Sequence, residues 1–433
     1  MTDKWTRRRF LQTGALAGGG LIISARQGFA RTYQANDKLN IGVVGVAGRG
    51  GDNLNGVQGQ NIVALCDIDD NNLAAAAKRF PGAKTYNDFR KLLEQKDIDA
   101  VVCSTPDHTH AVVAIAALKA GHHLYCEKPL AHSVYEVRAI SDTAKRLKRV
   151  TQMGTQIHAE PNYRRVVELL QSGAIGKVKE VHVWVDRVWS GNGKAPETPP
   201  VPPNIHWDLW LGPAHERPYS PAYVPFNWRG WWAFGGGTLS DMACHHMDLS
   251  HWALHLRTPK TVSAEGPPDD PETTPAWLIV KFDYDGRKVD GKDYDPITLT
   301  WYNGGKRPPH FAEGKLPAWG DGSLFIGEKG MLLADYGRNV LLPEADFKDF
   351  TPPPKTIPDS IGHHAEWIQA CKTGGPTSCN FDYSGALAET VLLGNVAYRT
   401  GRKIEWDPKS LRAVNCPEAD TYLRPHYRKG WKL

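Results

Sequence analysis

A chain of 433 residues, 41% hydrophobic and 23% charged, has the composition of a globular protein with two or three domains' worth of core, which excludes a disordered or fibrous chain. The formal charge of +5 does not point to a nucleic-acid partner: Lys4, Arg7, Arg8, Arg9 and Arg26 against Asp3 place +4 in residues 1–30, leaving about +1 elsewhere. No segment is long and apolar enough to anchor the mature chain in a bilayer.

Residues 1–30 read as an export signal. Thr6-Arg7-Arg8-Arg9-Phe10-Leu11-Gln12 resembles the twin-arginine pattern, and a Gly/Ala-rich apolar stretch runs from Gly14 to Ile23. Gly28 and Ala30 put small residues before a cleavage point at Arg31. Export by the twin-arginine machinery after folding suits a protein that takes up a cofactor in the cytoplasm, and the expected destination is the periplasm. Cys66, Cys103, Cys126, Cys244, Cys371, Cys379 and Cys416 are odd in number and lack CxxC spacing, so they read as buried thiols, not a disulfide framework.

From residue 38 to 155 the chain alternates β and α. Strands are expected at Leu39–Gly45, Asn61–Cys66, Ala100–Ser104 and His123–Cys126. Helices are expected at Asn71–Phe80, Phe89–Gln95, His110–Ala120 and Val134–Lys148. The alternation predicts a doubly wound parallel sheet with helices on both faces, the Rossmann arrangement. Residues 156–433 change character. A helix is expected at Asn162–Ser172, and Val178–Val188 alternates like a half-exposed strand. Residues 191–227, rich in Pro, Gly, Asn and Trp, form an ordered excursion. Thr238–Leu256 reads as one helix, followed by five strands and two last helices. The second domain is therefore expected to be α+β with an open, largely antiparallel sheet.

The chemistry gathers at four places. Gly45-Val46-Ala47-Gly48-Arg49-Gly50 is a GxGxxG turn with alanine at the second glycine. It sits between a strand and a helix, where backbone N–H groups meet a pyrophosphate. Asp67, ending the second strand, is placed to bond the adenine-ribose hydroxyls and to repel a 2′-phosphate, which favours NAD over NADP. Thr105-Pro106-Asp107-His108-Thr109-His110 follows the third strand and would lie beside the nicotinamide ribose. Its histidines invite a metal reading, but loop packing and helix capping account for them. Glu127-Lys128-Pro129 closes the fourth strand. Proline restricts the backbone of Lys128, so its ammonium is aimed at cofactor and substrate.

The fourth place is Gly236 to Asp248. On a single helix Asp241, His245 and Asp248 share a face, and an acid one turn from a histidine can orient it as a general base. His245, His246 and Asp248 are also ligand types. Residues 245 and 246 diverge on a helix, so their spacing suits one ion poorly and no metal is assigned.

These parts together resemble the Gfo/Idh/MocA oxidoreductases. The resemblance rests on the Gly45–Gly50 turn, Asp67, the Thr105–His110 run, Glu127-Lys128-Pro129, and GGxLxD followed by His245, with Ala243 where many members have glycine. It implies a bound nicotinamide cofactor held by Gly45, Ala47, Gly48, Arg49, Gly50, Asp67, Thr105, Pro106, His110, Glu127 and Lys128. It further implies that Lys128 contacts substrate, that Asp241 helps place it, that His245 is the acid/base, and that the chain forms homo-oligomers. Gly154-Thr155-Gln156, His206 to Pro213, Trp228 to Trp232 and Gly362 to Trp367 resemble an exported branch acting on sugars or glycosides. Gln156, Arg229 and Trp231 are its candidate substrate residues.

The expected function is hydride transfer between a sugar or glycoside secondary hydroxyl, with C3 the candidate carbon, and a tightly held nicotinamide. Two alternatives use the same residues: an NAD-dependent glycosidase working by transient oxidation and elimination, and a non-catalytic nucleotide-bound sugar-binding protein.

Overall fold

The structure, a computed structural model, describes residues 37–191 and 197–433, and the export signal read at residues 1–30 lies outside the described residues. The first sheet contains β1 (Asn40–Val44), β2 (Asn61–Cys66), β3 (Lys84–Tyr86), β4 (Ala100–Cys103), β5 (His123–Cys126) and β6 (Thr151–Met153). The order is β3-β2-β1-β4-β5-β6, and every pairing is parallel. Helices cover both faces, so β1, β4 and β5 read as continuous apolar runs, not as alternating ones. The chain reverses its direction of winding between β1 and β4, which opens a crevice beyond the strand ends.

β3 and β6 were not anticipated. Each is an edge strand of three residues with a partly polar sequence, Lys-Thr-Tyr and Thr-Gln-Met, too short for a periodic signal. The helix expected from His110 begins at Asp107, with Pro106 at its cap. Proline there fixes an extended φ and leaves the first turn free to start at once.

The second sheet has nine strands: β7 (Val178–Val185), β8 (Thr261–Glu265), β9 (Leu278–Tyr284), β12 (Ile297–Asn303), β13 (Gly322–Gly327), β14 (Met331–Ala334), β15 (Asn339–Leu342), β16 (Ile404–Asp407) and β17 (Arg412–Ala413). A separate hairpin pairs β10 (Arg287–Val289) with β11 (Lys292–Tyr294). The sheet order is β15-β14-β13-β7-β12-β9-β8-β16-β17. Only β7 and β12 pair in parallel; the other pairings are antiparallel.

Two expectations need correction here. β7 is not half-exposed: Val181 to Val185 are all buried, because the strand lies inside the sheet between β13 and β12. Trp184 on its second face packs with Tyr302, Trp319 and Leu324. The single helix expected over Thr238–Leu256 is two, Gly237–His246 and Asp248–Ala253, with the break at Met247.

Two late helices tie the sheets together. His363–Thr373 returns to the first sheet, where Trp367 and Cys371 join the core of Ile41, Val43 and Leu54. Phe381–Thr400 packs on the Val134–Leu147 helix of the first sheet and on both β8 and the Gly237–His246 helix of the second. Arg138 clasps Glu389 across the first of these contacts with two hydrogen bonds, at 2.7 and 2.8 Å. The Glu389 side chain is only 8% exposed, against 27% for Arg138, so removing the arginine strands a carboxylate. Arg138→Met should cost about 2 kcal/mol in urea unfolding, less than the ~3–5 kcal/mol of a fully buried pair because water reaches the arginine side. An unchanged urea midpoint would show that this clasp is not structural.

Candidate active site

The crevice at the winding reversal is a cleft of about 930 Å³ lined by the first sheet's strand ends and by helix and loop residues of the second domain. Its first wall is the turn after β1. Gly45 has φ +81°, and a Cβ there would lie 2.6 Å from the Ser104 carbonyl oxygen, so the turn after β1 sits directly on the end of β4. At Gly50 a Cβ would lie 2.1 Å from the Gly45 carbonyl oxygen. The Arg49–Val57 helix can start this close only with glycine at that point. Gly48 provides no side-chain cap. Gly50 N–H turns back to the Ala47 carbonyl and Gly51 N–H to that of Gly48, each at 2.9 Å, and the helix start faces the cleft at Gly48 and Arg49. That is the chemistry of an anion seat. Gly45, Ala47, Gly48 and Arg49 line the cleft; Gly50 lies behind them as packing.

Asp67 also lines the cleft. Its carboxylate accepts from Val46 N–H and Asp69 N–H, both at 3.0 Å, which fixes its direction. Burial raises its pKa against the pull of those backbone donors. Asp52, Asp69 and Asp88 line the same cleft, an acidic surround unsuited to a 2′-phosphate. Anion seat and fixed carboxylate together fit a dinucleotide whose adenosine lies at the Asp67 end.

The other end is built around Lys128. Its Nζ donates to Asp241 Oδ1 and to the Asp241 carbonyl oxygen, each at 2.7 Å. Arg229 Nε donates to the same Oδ1 at 2.8 Å. Burial alone would raise the Asp241 pKa, yet the charges and hydrogen bonds of Lys128 and Arg229 hold the carboxyl well below the usual range. Arg229 is itself stacked, its guanidinium 4.2 Å from the Trp228 ring centre and 4.3 Å from Phe226. Arg229 therefore serves first as a partner of Asp241 while still lining the cleft.

His245 lines the cleft one turn further along the helix. No hydrogen bond joins it to Asp241, so the expected orientation of the imidazole by this carboxylate is corrected: Asp241 holds the two cations instead. Its Nδ1 is buried with no partner among the described residues. Burial, helped by the Lys128 charge, pushes its pKa well below the ordinary histidine value, so the ring is neutral. Asp248 also leaves the expected cluster. The break at Met247 turns it towards His158 Nδ1, at 2.9 Å, and the Tyr383 hydroxyl, at 2.7 Å. His246 Nε2 meets the Tyr336 hydroxyl at 2.7 Å. The three ligand-type residues at 245, 246 and 248 thus diverge: His246 meets Tyr336, Asp248 meets His158 and Tyr383, and His245 faces the cleft.

Glu127 is buried beside Lys128 and lines the cleft. Its Oε1 accepts from Asn53 Nδ2 at 3.0 Å and from Gln156 Nε2 at 2.7 Å. Gln156, read as a substrate residue, therefore lines the cleft with its amide committed to Glu127 and the Tyr125 hydroxyl. Thr105 and Pro106 line the cleft, whereas His110 does not. Its ring is buried behind them, with nitrogens 2.8 Å from the Pro129 carbonyl and 2.7 Å from that of Thr105. It fastens the loop after β4 to the Lys128-Pro129 segment. Trp231 is likewise corrected from wall to support: it packs with Trp210, Tyr223 and Phe234, and its indole N–H donates to the Ala222 carbonyl.

Sequence reasoning missed several lining residues. Asp107 lay inside a quoted motif, and its place at the first turn after Pro106 was the available signal. It is 4% exposed and lines the cleft. Burial holds its carboxyl well above the usual range despite Arg229 and Lys128 nearby. Tyr336, Arg187 and Trp431 also line the cleft and come from segments with no motif at all.

A doubly wound fold with an anion seat, a ribose-directed carboxylate and a lysine–aspartate–histidine end defines a nicotinamide-dependent oxidoreductase class. Residues 39–155 match the Gfo/Idh/MocA oxidoreductase family, NAD-binding Rossmann fold, and residues 162–306 match the C-terminal alpha/beta domain of that family; the chain belongs to it. Inositol 2-dehydrogenase of Salmonella typhimurium is 36% identical over 150 residues, 33% of this chain and 45% of that protein. A glycosyl hydrolase family 109 protein of Solibacter usitatus is 31% identical over 195 residues, 41% of this chain and 44% of that protein. The chain thus spans less than half the length of these curated relatives. Among solved structures, the WlbA dehydrogenase of Chromobacterium violaceum, in complex with NADH and UDP-GlcNAcA, shares the fold with a TM-score of 0.62. It is 18% identical, and the match covers 88% of this chain and 99% of that one.

Twelve described histidines are held below their ordinary pKa, with burial the largest cause. Six carboxyls are held above theirs. Between about pH 6.5 and 4.5 the unfolded chain protonates histidines that the folded chain keeps neutral, so stability falls as pH falls. The six carboxyls act in the opposite sense and are fewer. The melting temperature should fall steadily across that window, and a rise would contradict the buried neutral histidines.

Proposed function

We propose that the protein is an exported NAD-dependent oxidoreductase acting on a secondary hydroxyl of a sugar or glycoside, with C3 the candidate carbon. The observation that carries the reading is the Lys128–Asp241–Arg229 ion cluster beside a neutral, cleft-lining His245. Bound NAD supplies the hydride acceptor. The neutral His245 ring offers a lone pair for the hydroxyl proton. Lys128 spends two of its three N–H donors on Asp241, and the third is available to polarise the same oxygen. Asp241 and Arg229 keep that ammonium in place, and Glu127 with Asn53 and Gln156 braces the strand end that bears it. Trp189 lines the cleft with a flat apolar ring of the kind that stacks on sugars, beside Trp228, which is stacked with Arg229, and Trp210, which is stacked on Trp207. The twin-arginine-like sequence at residues 6–12 supports export to the periplasm, where cofactor must stay bound through turnover. Homo-oligomer formation belongs to the same proposal and rests on the family resemblance.

The test is to purify the protein, identify its released cofactor, and screen sugars and glycosides for NADH formation. Lys128→Ala and His245→Ala should each lower kcat by ~10²–10⁴-fold, and bound NAD content should stay as in the wild type for His245→Ala. A His245→Ala variant that turns over normally would sink this assignment and favour a binding protein.

Asp107 supports a second reading, glycoside cleavage. That reaction needs an acid for the departing oxygen in addition to the base, and Asp107 is a buried carboxyl in the cleft that simple oxidation leaves unused. The family 109 likeness points the same way. In this case Asp107→Asn should abolish release of the aglycone and preserve exchange of hydride with substrate. Equal loss of both would reject a separate role for Asp107.

A further inference from the structure

The adenosine end of the cleft is covered by chain from outside the nucleotide-binding fold. Beyond Asp67 it is lined by Ile68 and by Asn87 to Phe89, the loops that flank an adenine in a doubly wound sheet. Ile205 and Trp431 line this end too. Neither belongs to the first sheet or its helices.

Both are held firmly. Residues 204–206 run against the loop after β2: Asp69 and Ile205 form an antiparallel bridge, Asp70 N–H donates to the Asn204 carbonyl at 2.9 Å, and His206 N–H donates to that of Ile68 at 2.9 Å. Asn204 Nδ2 adds a bond to Asp69 Oδ1 at 2.8 Å. Trp431 is placed through Arg428. The Arg428 guanidinium donates to the Gly212 carbonyl at 2.6 Å, the Asp208 carbonyl at 2.8 Å and Asp208 Oδ1 at 2.6 Å, and its side chain is 11% exposed. The indole then lies 6.2 Å from the Phe89 ring, with the Arg90 guanidinium 4.9 Å from its centre.

We propose that Trp431 and Ile205 complete an adenine subsite: the indole stacks on or beside the base, and the 204–206 segment closes the exit past Asp67. The proposal rests on the cleft's binding NAD, and it explains how a bound nicotinamide would be retained. An indole facing a flat base stabilises it by about 1–3 kcal/mol. Loss of that contact corresponds to a faster release of roughly 5- to 150-fold.

The experiment uses the holoprotein and follows NADH release by displacement with excess NAD, alongside equilibrium binding of NADH and of nicotinamide mononucleotide, which lacks the adenosine. Trp431→Ala should speed NADH release at least fivefold and leave binding of the mononucleotide unchanged. Trp431→Phe should restore most of the slow release, and Arg428→Ala should match Trp431→Ala. Unchanged NADH release in folded Trp431→Ala and Arg428→Ala variants would overturn the subsite. So would equal weakening of dinucleotide and mononucleotide, which marks a general structural role. Failure of the wild type to bind NADH at all would instead overturn the cofactor reading itself.

Discussion

One carboxylate organises the centre of this protein. Asp241 brings Lys128 from the nucleotide-binding sheet and Arg229 from the short Asn227–Gly230 helix onto a single oxygen atom. Two largely buried cations side by side would repel each other and drive neighbouring groups out of their useful states. The buried anion between them neutralises part of that charge and sets the distance between the two halves of the site. The remaining positive field helps keep His245 uncharged, so the neutrality of the histidine and the position of the lysine are products of one arrangement. The lysine cannot leave its position without stranding the aspartate.

The scaffold serves this point of contact. The reversal between β1 and β4 supplies the crevice, and close glycine packing lets a helix start at its edge. The Phe381–Thr400 helix bears on helices from both halves, so the Gly237–His246 helix is positioned relative to the first sheet by packing as well as by the ion cluster. His110 works in the same way on a smaller scale, joining the loop after β4 to the segment that carries Lys128.

Much of this was legible in the sequence where signals are local. The four buried strands of the first sheet announced themselves as apolar runs bounded by helices, and the glycine turn, Asp67 and Lys128 were found through their spacing from those strands. Asp241 and His245 were found because they share a helix. The partners of Asp241 were not, since Lys128 and Arg229 lie far from it in the chain or on another element and only folding brings them together. Asp248 was misplaced because nothing in a run of residues with good helical spacing marks a break at Met247. Trp231 looked like Trp228, and both are buried in one aromatic core, yet only Trp228 also lines the cleft; tryptophan content alone does not tell a wall from its backing. Trp431, so distant from every motif, was invisible.

The covering of the adenosine end has a consequence for biogenesis. The glycine turn and Asp67 are translated long before Asn204 or Trp431. A nascent chain therefore presents an open nucleotide seat first and adds the cover later. On the proposed adenine subsite, the cofactor enters more easily before this cover has formed than after. Under the proposed export after folding, this order of events makes the cytoplasm the natural filling station.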